Sequence, residues 1–194
     1  MTALCTFPRT RRNDIRSLFR RVNPARPGAG LFRAAMTVLW LCAACAPVDG
    51  PPVAGDPVPD VQAATLDGEA VALSDLRGQV VLVNLWATWC APCRFETPFL
   101  QSLYDEHRER GFEIVGISVD DAGFEDVVRG FAGEYGVTYT ILHDPEMRSM
   151  DAFHAVGLPA TYLVDREGTI RFVRVGPVSE QDREFFDALE AALG

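Results

Sequence analysis

Short apolar runs predict the strands of one domain over residues 61–194. Residues 79–86 are almost all apolar, which is typical of a strand buried on both faces of a sheet. Asp67-Gly68 is a strong signal for the turn of a β-hairpin. The pattern predicts strands at residues 61–66, 69–73, 79–86, 112–119, 139–142, 160–164 and 169–175.

Segments of helical spacing separate most of these strands. They predict helices at residues 91–110, 124–135, 146–153 and 179–193, and Gly111 is expected to end the first. Ser179 is the expected N-cap of the last helix, with Glu180 and Asp182 in its first turn, where the helix dipole favours anions. Alternating strands and helices that end in a hairpin and a helix predict an α/β fold whose mixed central sheet is covered by helices on both faces.

Residues 1–45 have the composition of an export signal. Eight arginines and one acidic residue occur in residues 1–44, and the apolar run at 34–44 has eleven residues. A membrane-spanning helix needs about 20 residues, so this run is too short to be one and has the length of a signal-peptide core. Small residues then lead to Cys45, an arrangement that resembles a bacterial lipoprotein signal. That resemblance implies that a lipidated Cys45 tethers the protein to the membrane on its periplasmic side.

Three further interpretations of this segment stay open. They are a cleaved signal, an uncleaved N-terminal anchor, and a cytosolic protein with a disordered basic tail. Cys42 and Cys45 have C-x-x-C spacing, but we expect no redox pair there because both lie inside the export segment. Residues 46–60 contain five prolines and two glycines, which predict an extended linker.

The charge of the remaining chain excludes one class of partner. Residues 45–194 contain ten basic and 26 acidic residues, a formal charge of −16. Such a surface repels nucleic acids, so we expect no nucleic-acid partner.

Cys90 and Cys93 are the candidate reactive residues. Cys90 directly follows a predicted buried strand and lies where the next helix begins, so free backbone N–H groups and the positive end of the dipole would stabilise its thiolate. Pro92 is tolerated in the first turn of a helix, and the spacing places Cys93 one turn after Cys90. Cys90 would form a mixed disulfide that Cys93 resolves. Half of a zinc site and a passive structural disulfide are the competing interpretations of the pair.

Two motifs resemble the thioredoxin-like TlpA/ResA/CcmG family of membrane-anchored thiol–disulfide oxidoreductases. The first is VNLWATWCAPCRFETP at residues 83–98, and the second is VGLPATYLVD at 156–165. The resemblance implies a thioredoxin-like three-layer fold with an N-terminal β-hairpin and a central βα insert. It also implies that Pro159 follows a cis peptide bond and faces the redox pair, which would leave the main chain of Leu158 available to an extended substrate.

The resemblance assigns further roles by position. Glu96 corresponds to an acidic residue near the active site, where it would raise the thiol pKa and exchange a proton with Cys93. The competing interpretation is an exposed glutamate on the helix surface. Asn84 occupies a strand position where cytoplasmic thioredoxins have an aspartate, and its amide cannot act as a base. Trp89 is expected either as a partly exposed lid over the sulfur or as a core residue, and Trp89, Pro92 and Leu158 are the expected substrate contacts.

By this resemblance the protein is an exported reductase of client-protein disulfides. Its clients would be of the kind found in cytochrome c maturation or metal-site assembly, its electrons would come from a membrane thiol transporter, and it would need no cofactor or metal. A thiol oxidase uses the same atoms in the opposite direction. A peroxiredoxin-like thiol peroxidase, and a lipoprotein that carries copper(I) on the two thiolates, also stay open at this point.

Overall fold

Seven strands form one mixed sheet in the computed structural model, which describes residues 50–194. The strands are β1 Gln62–Thr65, β2 Ala70–Ala72, β3 Val80–Trp86, β4 Phe112–Ser118, β5 Thr140–His143, β6 Ala160–Val164 and β7 Ile170–Val175. The α-helices are α1 Ala91–His107, α2 Glu125–Tyr135, α3 Arg148–Ala152 and α4 Arg183–Leu193. Short 3₁₀ helices span Leu73–Leu76 and Arg108–Arg110.

The strand order is β2-β1-β5-β4-β3-β6-β7, which places β3 near the centre of the sheet. β3 is parallel to β4 and antiparallel to β6, and every residue of β3 is buried. The predicted hairpin is present as the antiparallel pair β1 and β2, which extends the sheet through β5. β3 and β4 are parallel and end at the same side of the sheet. The residues that follow β3 therefore lie at the C-terminal ends of these central strands.

Alternation along β3 divides the core into two layers. Val80 and Leu82 face a cluster that includes Leu100 of α1 and Phe185 of α4. Val81, Val83 and Leu85 face the opposite cluster. Apolar residues between Val58 and Leu76, and others in and after α3, cover that cluster. Successive side chains of a strand point to opposite faces, so a continuous apolar run is required where both faces are covered. The predicted mixed sheet with both faces covered is confirmed.

The start of the last helix differs from the prediction. α4 begins at Arg183, and the side chain of Asp182 accepts a hydrogen bond from the backbone N–H of Phe185. Asp182 is therefore the N-cap, whereas the predicted cap Ser179 lies before the helix. Asp182 also forms an ion pair with Arg174 of β7 at 2.9 Å, which favours the later start.

The linker predicted over 46–60 is shorter than expected. Within its described part, the backbone N–H of Gly55 donates to Ile170, that of Val58 donates to Gly168, and Pro57 forms a β-bridge with Thr169. Proline removes donors from the segment, but the remaining N–H groups pair with the hairpin between β6 and β7. Residues 55–58 therefore form part of the domain.

Within residues 50–194, none of the helices is long and apolar enough to cross a bilayer. The expected export segment and the predicted lipidation site Cys45 lie outside the described residues.

Candidate active site

Cys90 and Cys93 form a disulfide at the N-terminus of α1. The S–S distance is 2.05 Å and the two Cα atoms lie 5.3 Å apart. Cys90 is the N-cap of α1, and its Sγ accepts the backbone N–H of Cys93 at 3.3 Å. One of the otherwise unpaired N–H groups of the first helical turn, that of Cys93, thus points towards the sulfur that the sequence predicted as the nucleophile.

The two sulfur-bearing residues differ in exposure, and the residues beside them are open to solvent. Cys90 retains 5% of its surface and Cys93 retains 1%, so Cys90 is the more accessible of two largely buried residues. Trp89 is 68% exposed, which excludes a core position for this residue, and Pro92 is also exposed. The chain on both sides of Cys90 in sequence therefore exposes an apolar residue, Trp89 before it and Pro92 after it.

The loop before β6 packs against the core cluster that contains the redox pair. The Leu158–Pro159 peptide bond is cis, as the resemblance implied. Leu158 packs against the buried cluster that contains Cys90 and Cys93, while Pro159 itself is buried. The predicted residues from the two motifs are therefore brought together at one end of the sheet.

Glu96 is buried, although it lies on a helix whose surface is largely polar. It retains 3% of its surface, which excludes an exposed position on the helix surface. Its Oε1 accepts a hydrogen bond from Nδ2 of Asn84 at 2.7 Å, and its Oε2 accepts the backbone N–H of Val178 at 2.9 Å. Burial raises the pKa of Glu96 to about 7, because the two hydrogen bonds offset only part of the desolvation of the carboxylate.

Thr161 completes this network, and no local sequence pattern indicated it. Asn84 and Thr161 are directly opposite each other in the antiparallel pairing of β3 with β6. The second Nδ2 proton of Asn84 is donated to Thr161 Oγ1 at 3.0 Å, and Thr161 is fully buried. Only the register of two strands 77 residues apart in sequence reveals this contact.

Asp120 fixes the segment that leads into Cys90, and it too escaped prediction from the sequence. It is 1% exposed and accepts hydrogen bonds from both the backbone N–H and the hydroxyl of Thr88, the latter at 2.6 Å. The hydroxyl of Ser118 donates to the same carboxylate at 2.8 Å. The carboxylate therefore ties the residues after β3 to the end of β4.

The histidines lie apart from this chemistry. His107 is buried at the end of α1, where its ring contacts Phe112 edge to face. Nε2 of His143 lies 2.9 Å from the carbonyl oxygen of Asp120, which supports the loop that carries that carboxylate. His154 is exposed.

Comparisons with known proteins agree with this geometry. The sequence profile of the AhpC/TSA family matches residues 54–173. Thiol-disulfide oxidoreductase ResA of Oceanobacillus iheyensis is 40% identical over 129 residues, which cover 64% of this chain and 66% of that protein. Thioredoxin-like protein YneN of Bacillus subtilis is 36% identical over 131 residues, which cover 67% of this chain and 76% of that protein.

A solved structure supports the same assignment. A crystal structure from Chlorobium tepidum, described as a thiol:disulfide interchange protein DsbE, superposes with a TM-score of 0.67 and 29% identity, over 74% of this chain and 99% of the other. The thioredoxin-like fold expected from the sequence is thereby confirmed. Family match, fold and a cysteine pair at a helix N-terminus lead to one conclusion: the chain belongs to the AhpC/TSA family, as a thioredoxin-like thiol–disulfide oxidoreductase.

Proposed function

We propose that this protein is an exported reductase that keeps cysteine pairs of client proteins reduced. The observation that carries the proposal is the buried carboxylate of Glu96, one helical turn after Cys93. Side chains three residues apart on a helix are neighbours, with roughly 5–6 Å between their Cβ atoms. The carboxylate is therefore placed to act on the thiol of Cys93.

The position of Glu96 favours reduction of clients over their oxidation. A strong oxidant of this fold has a high reduction potential because its reduced form contains a stabilised thiolate. A negative carboxylate beside the pair destabilises a second negative charge on sulfur, which raises the thiol pKa and destabilises the reduced form relative to the disulfide. The dithiol therefore gives up its electrons more readily.

The proposed cycle balances in atoms and electrons. The Cys90 thiolate attacks the client disulfide, one client sulfur leaves as a thiolate and takes up a proton, and a mixed disulfide forms. Cys93 transfers its proton to Glu96 and attacks the Cys90 sulfur. The second client sulfur leaves and takes up the proton that Glu96 releases. The client gains two electrons and two protons, and the Cys90–Cys93 disulfide is the oxidised product.

Exposed apolar side chains around the disulfide support an extended protein substrate. Trp89, Pro92 and Leu158 are the proposed contacts, and Phe95 at 84% exposure and Val156 at 91% widen the apolar area. No described residue forms a hydrogen bond with the main chain of residues 156–158, so those peptide groups are available to a client segment.

The clients and the location are inferred from the sequence. We propose cysteine pairs of the kind that must be reduced before haem is attached to apocytochrome c or before a metal site is assembled. A membrane thiol transporter would supply the electrons. A lipidated Cys45 would hold the domain at the periplasmic face of the membrane, with residues 46–54 as the linker.

Trapping the mixed disulfide tests the mechanism. Cys93→Ser leaves the client bound to Cys90, because no second thiol is present to release it. We expect adducts of higher mass in the native host that disappear on treatment with dithiothreitol. Cys90→Ser is the matched control and should trap none. Equal trapping by both variants, or by neither, would refute the assigned order of attack.

A redox titration tests the direction. A reductase should have a potential close to that of thioredoxin, about −270 mV, and far from that of the oxidant DsbA, about −120 mV. Glu96→Gln removes the charge beside the pair and should make the potential less negative. A wild-type potential near the oxidant value would identify a thiol oxidase instead.

A further inference from the structure

The two oxygens of Glu96 face donors of different kinds. Oε2 accepts from the backbone N–H of Val178, whereas Oε1 accepts from the side-chain amide of Asn84. A backbone N–H can only donate, so Oε2 must remain an acceptor in both protonation states of Glu96. An amide carries a donor at one end and an acceptor at the other. A proton on Oε1 can therefore find an acceptor in the Asn84 amide, whereas a proton on Oε2 directed at Val178 cannot.

Protonation of Oε1 requires the Asn84 amide to turn. In the observed orientation Nδ2 donates to Glu96, which matches an ionised carboxylate. A turn of about 180° around the last side-chain bond would place Oδ1 there, and Oδ1 would accept the new O–H of Glu96. Without the turn, an N–H and an O–H would face each other in a buried site, which costs the desolvation of both groups.

Thr161 can follow this turn because a hydroxyl both accepts and donates. It now accepts the second Nδ2 proton of Asn84. After the turn its own proton can be donated to Oδ1 of Asn84, which has two lone pairs. A valine at this position would have the same shape but could do neither.

We propose that Asn84 and Thr161 are positioning residues that turn together to let Glu96 take up the Cys93 proton on Oε1. This inference rests on the proposed function for the identity of the proton donor. The proton moves from the Cys93 sulfur to Oε1, the sulfur retains the electron pair, and the Asn84 amide turns. Release of the proton to the departing client sulfur restores the observed orientation.

The surroundings of Glu96 contain few other charges. Asn84 of β3, Thr161 of β6 and the backbone of Val178 before α4 are neutral, and Cys93 lies on the same helix. Tyr139, which precedes β5, is an ionisable neighbour; burial and the charge of Glu96 raise its pKa. Tyr139 stays neutral near pH 7, so a titration of Glu96 in this range reports on Glu96 and its hydrogen bonds.

Substitution of Thr161 gives the first test. Relative to the wild type, Thr161→Val removes the acceptor of one buried N–H of Asn84 in the observed orientation, whereas in the turned orientation it removes only one donor to a carbonyl oxygen. The variant therefore favours protonated Glu96. We expect the midpoint of the Glu96 carboxyl titration, followed by ¹³C NMR in the oxidised full-length protein, to rise by about one pH unit. Thr161→Ser keeps the hydroxyl and should titrate as the wild type does. An unchanged midpoint in Thr161→Val would overturn the proposal.

A second measurement needs no variant. NMR contacts between the Asn84 amide protons and the Glu96 and Thr161 side chains should be strong at pH 9 and lost at pH 5. Contacts that persist at both pH values would show that the amide does not turn. Both readouts use the oxidised protein and no client. A normal resolving rate in Glu96→Gln would count against the proposed catalytic step alone, and the titration would still decide the role of Asn84 and Thr161.

Discussion

Glu96 is a buried, hydrogen-bonded carboxylate to which we assign the proton transfer of the proposed redox cycle. Its helix exposes neighbours such as Phe95, yet the carboxylate points into the core towards β3 and β6. A buried carboxylate is costly unless donors compensate for the lost water, and here a backbone N–H and an amide N–H supply only part of that compensation. A group with a pKa near 7 can both accept and release a proton at neutral pH.

The cost of burying Glu96 predicts a pH-dependent gain in stability for Glu96→Gln. The pKa of Glu96 is raised from 4.5 to about 7 in the folded protein. Between these two values the folded state keeps a proton that the unfolded state has lost, so this group lowers stability as pH rises through the window. The full penalty is about 3 kcal/mol above pH 7, at about 1.4 kcal/mol per pH unit. Glutamine is neutral at every pH and does not carry this penalty.

Urea unfolding of the two oxidised proteins measures this effect. The free energy of unfolding of Glu96→Gln, relative to the wild type, should increase by about 3 kcal/mol from pH 4.5 to pH 8.5. Glu134→Gln, at an exposed glutamate paired with Arg94 on the protein surface, is the matched control and should show a change below about 1 kcal/mol. A pH-independent difference for Glu96→Gln would mean that Glu96 titrates normally.

At the scale of elements, the C-terminal ends of β3 and β4 are joined through one carboxylate. Asp120 accepts hydrogen bonds from Thr88 and Ser118, so its loss would leave one buried hydroxyl and two part-buried donors without this partner. Asp120→Ala should lower the free energy of unfolding by about 3 kcal/mol. Asp121→Ala, at the exposed neighbouring position, should change it by less than about 0.5 kcal/mol. Similar urea midpoints for the two variants would show that the loop before Cys90 does not depend on Asp120.

The observed start of α4 gives a further prediction. Asp182→Ala removes the acceptor for the Phe185 N–H and the partner of Arg174, so it should destabilise the protein by about 1 kcal/mol. Ser179→Ala removes the cap that the sequence predicted and should have almost no effect. Thermal unfolding of both variants measures the difference in stability. A larger loss of stability in Ser179→Ala than in Asp182→Ala would show that Ser179 is the N-cap after all.

Strands and helices were predictable where a local pattern determines them. The continuous apolar run predicted β3, and both of its faces are covered. Gly111 was predicted to end the first helical segment, and in the structure it follows the 3₁₀ helix after α1 with a φ of 79° that other residues avoid. Ser179 and Asp182 both carry side chains suited to an N-cap, and the ion pair with Arg174, which depends on how β7 and α4 pack, favours Asp182. Thr161 and Asp120 were missed for the same reason, because their roles depend on strand register and not on neighbours in sequence.

At the scale of the whole molecule, the redox site occupies one sheet edge and the amino-terminal segment packs elsewhere. Gly55, Pro57 and Val58 pair with the hairpin between β6 and β7, on the side of residues 168–170. Cys90 lies at the other end of the central strands, where β3 and β4 finish. Residues 55–58 therefore lie at the end of the central strands opposite to Cys90 and the exposed Trp89.

Attachment of the whole protein to the membrane can be tested at a single sulfur. If the export segment is a lipoprotein signal, the thiol of Cys45 carries the lipid, and Cys45→Ala should abolish labelling of the protein by an alkyne fatty acid in the native host. Cys42→Ala keeps the acceptor, so it should be labelled as the wild type is. Mass spectrometry of the mature protein should then find Cys45 as the modified first residue. Labelling that survives in Cys45→Ala would refute lipidation at Cys45. A mature chain that still begins at Met1 would refute it too and favour an uncleaved anchor or a cytosolic tail, and an unlabelled chain that has lost residues 1–45 would favour a cleaved signal.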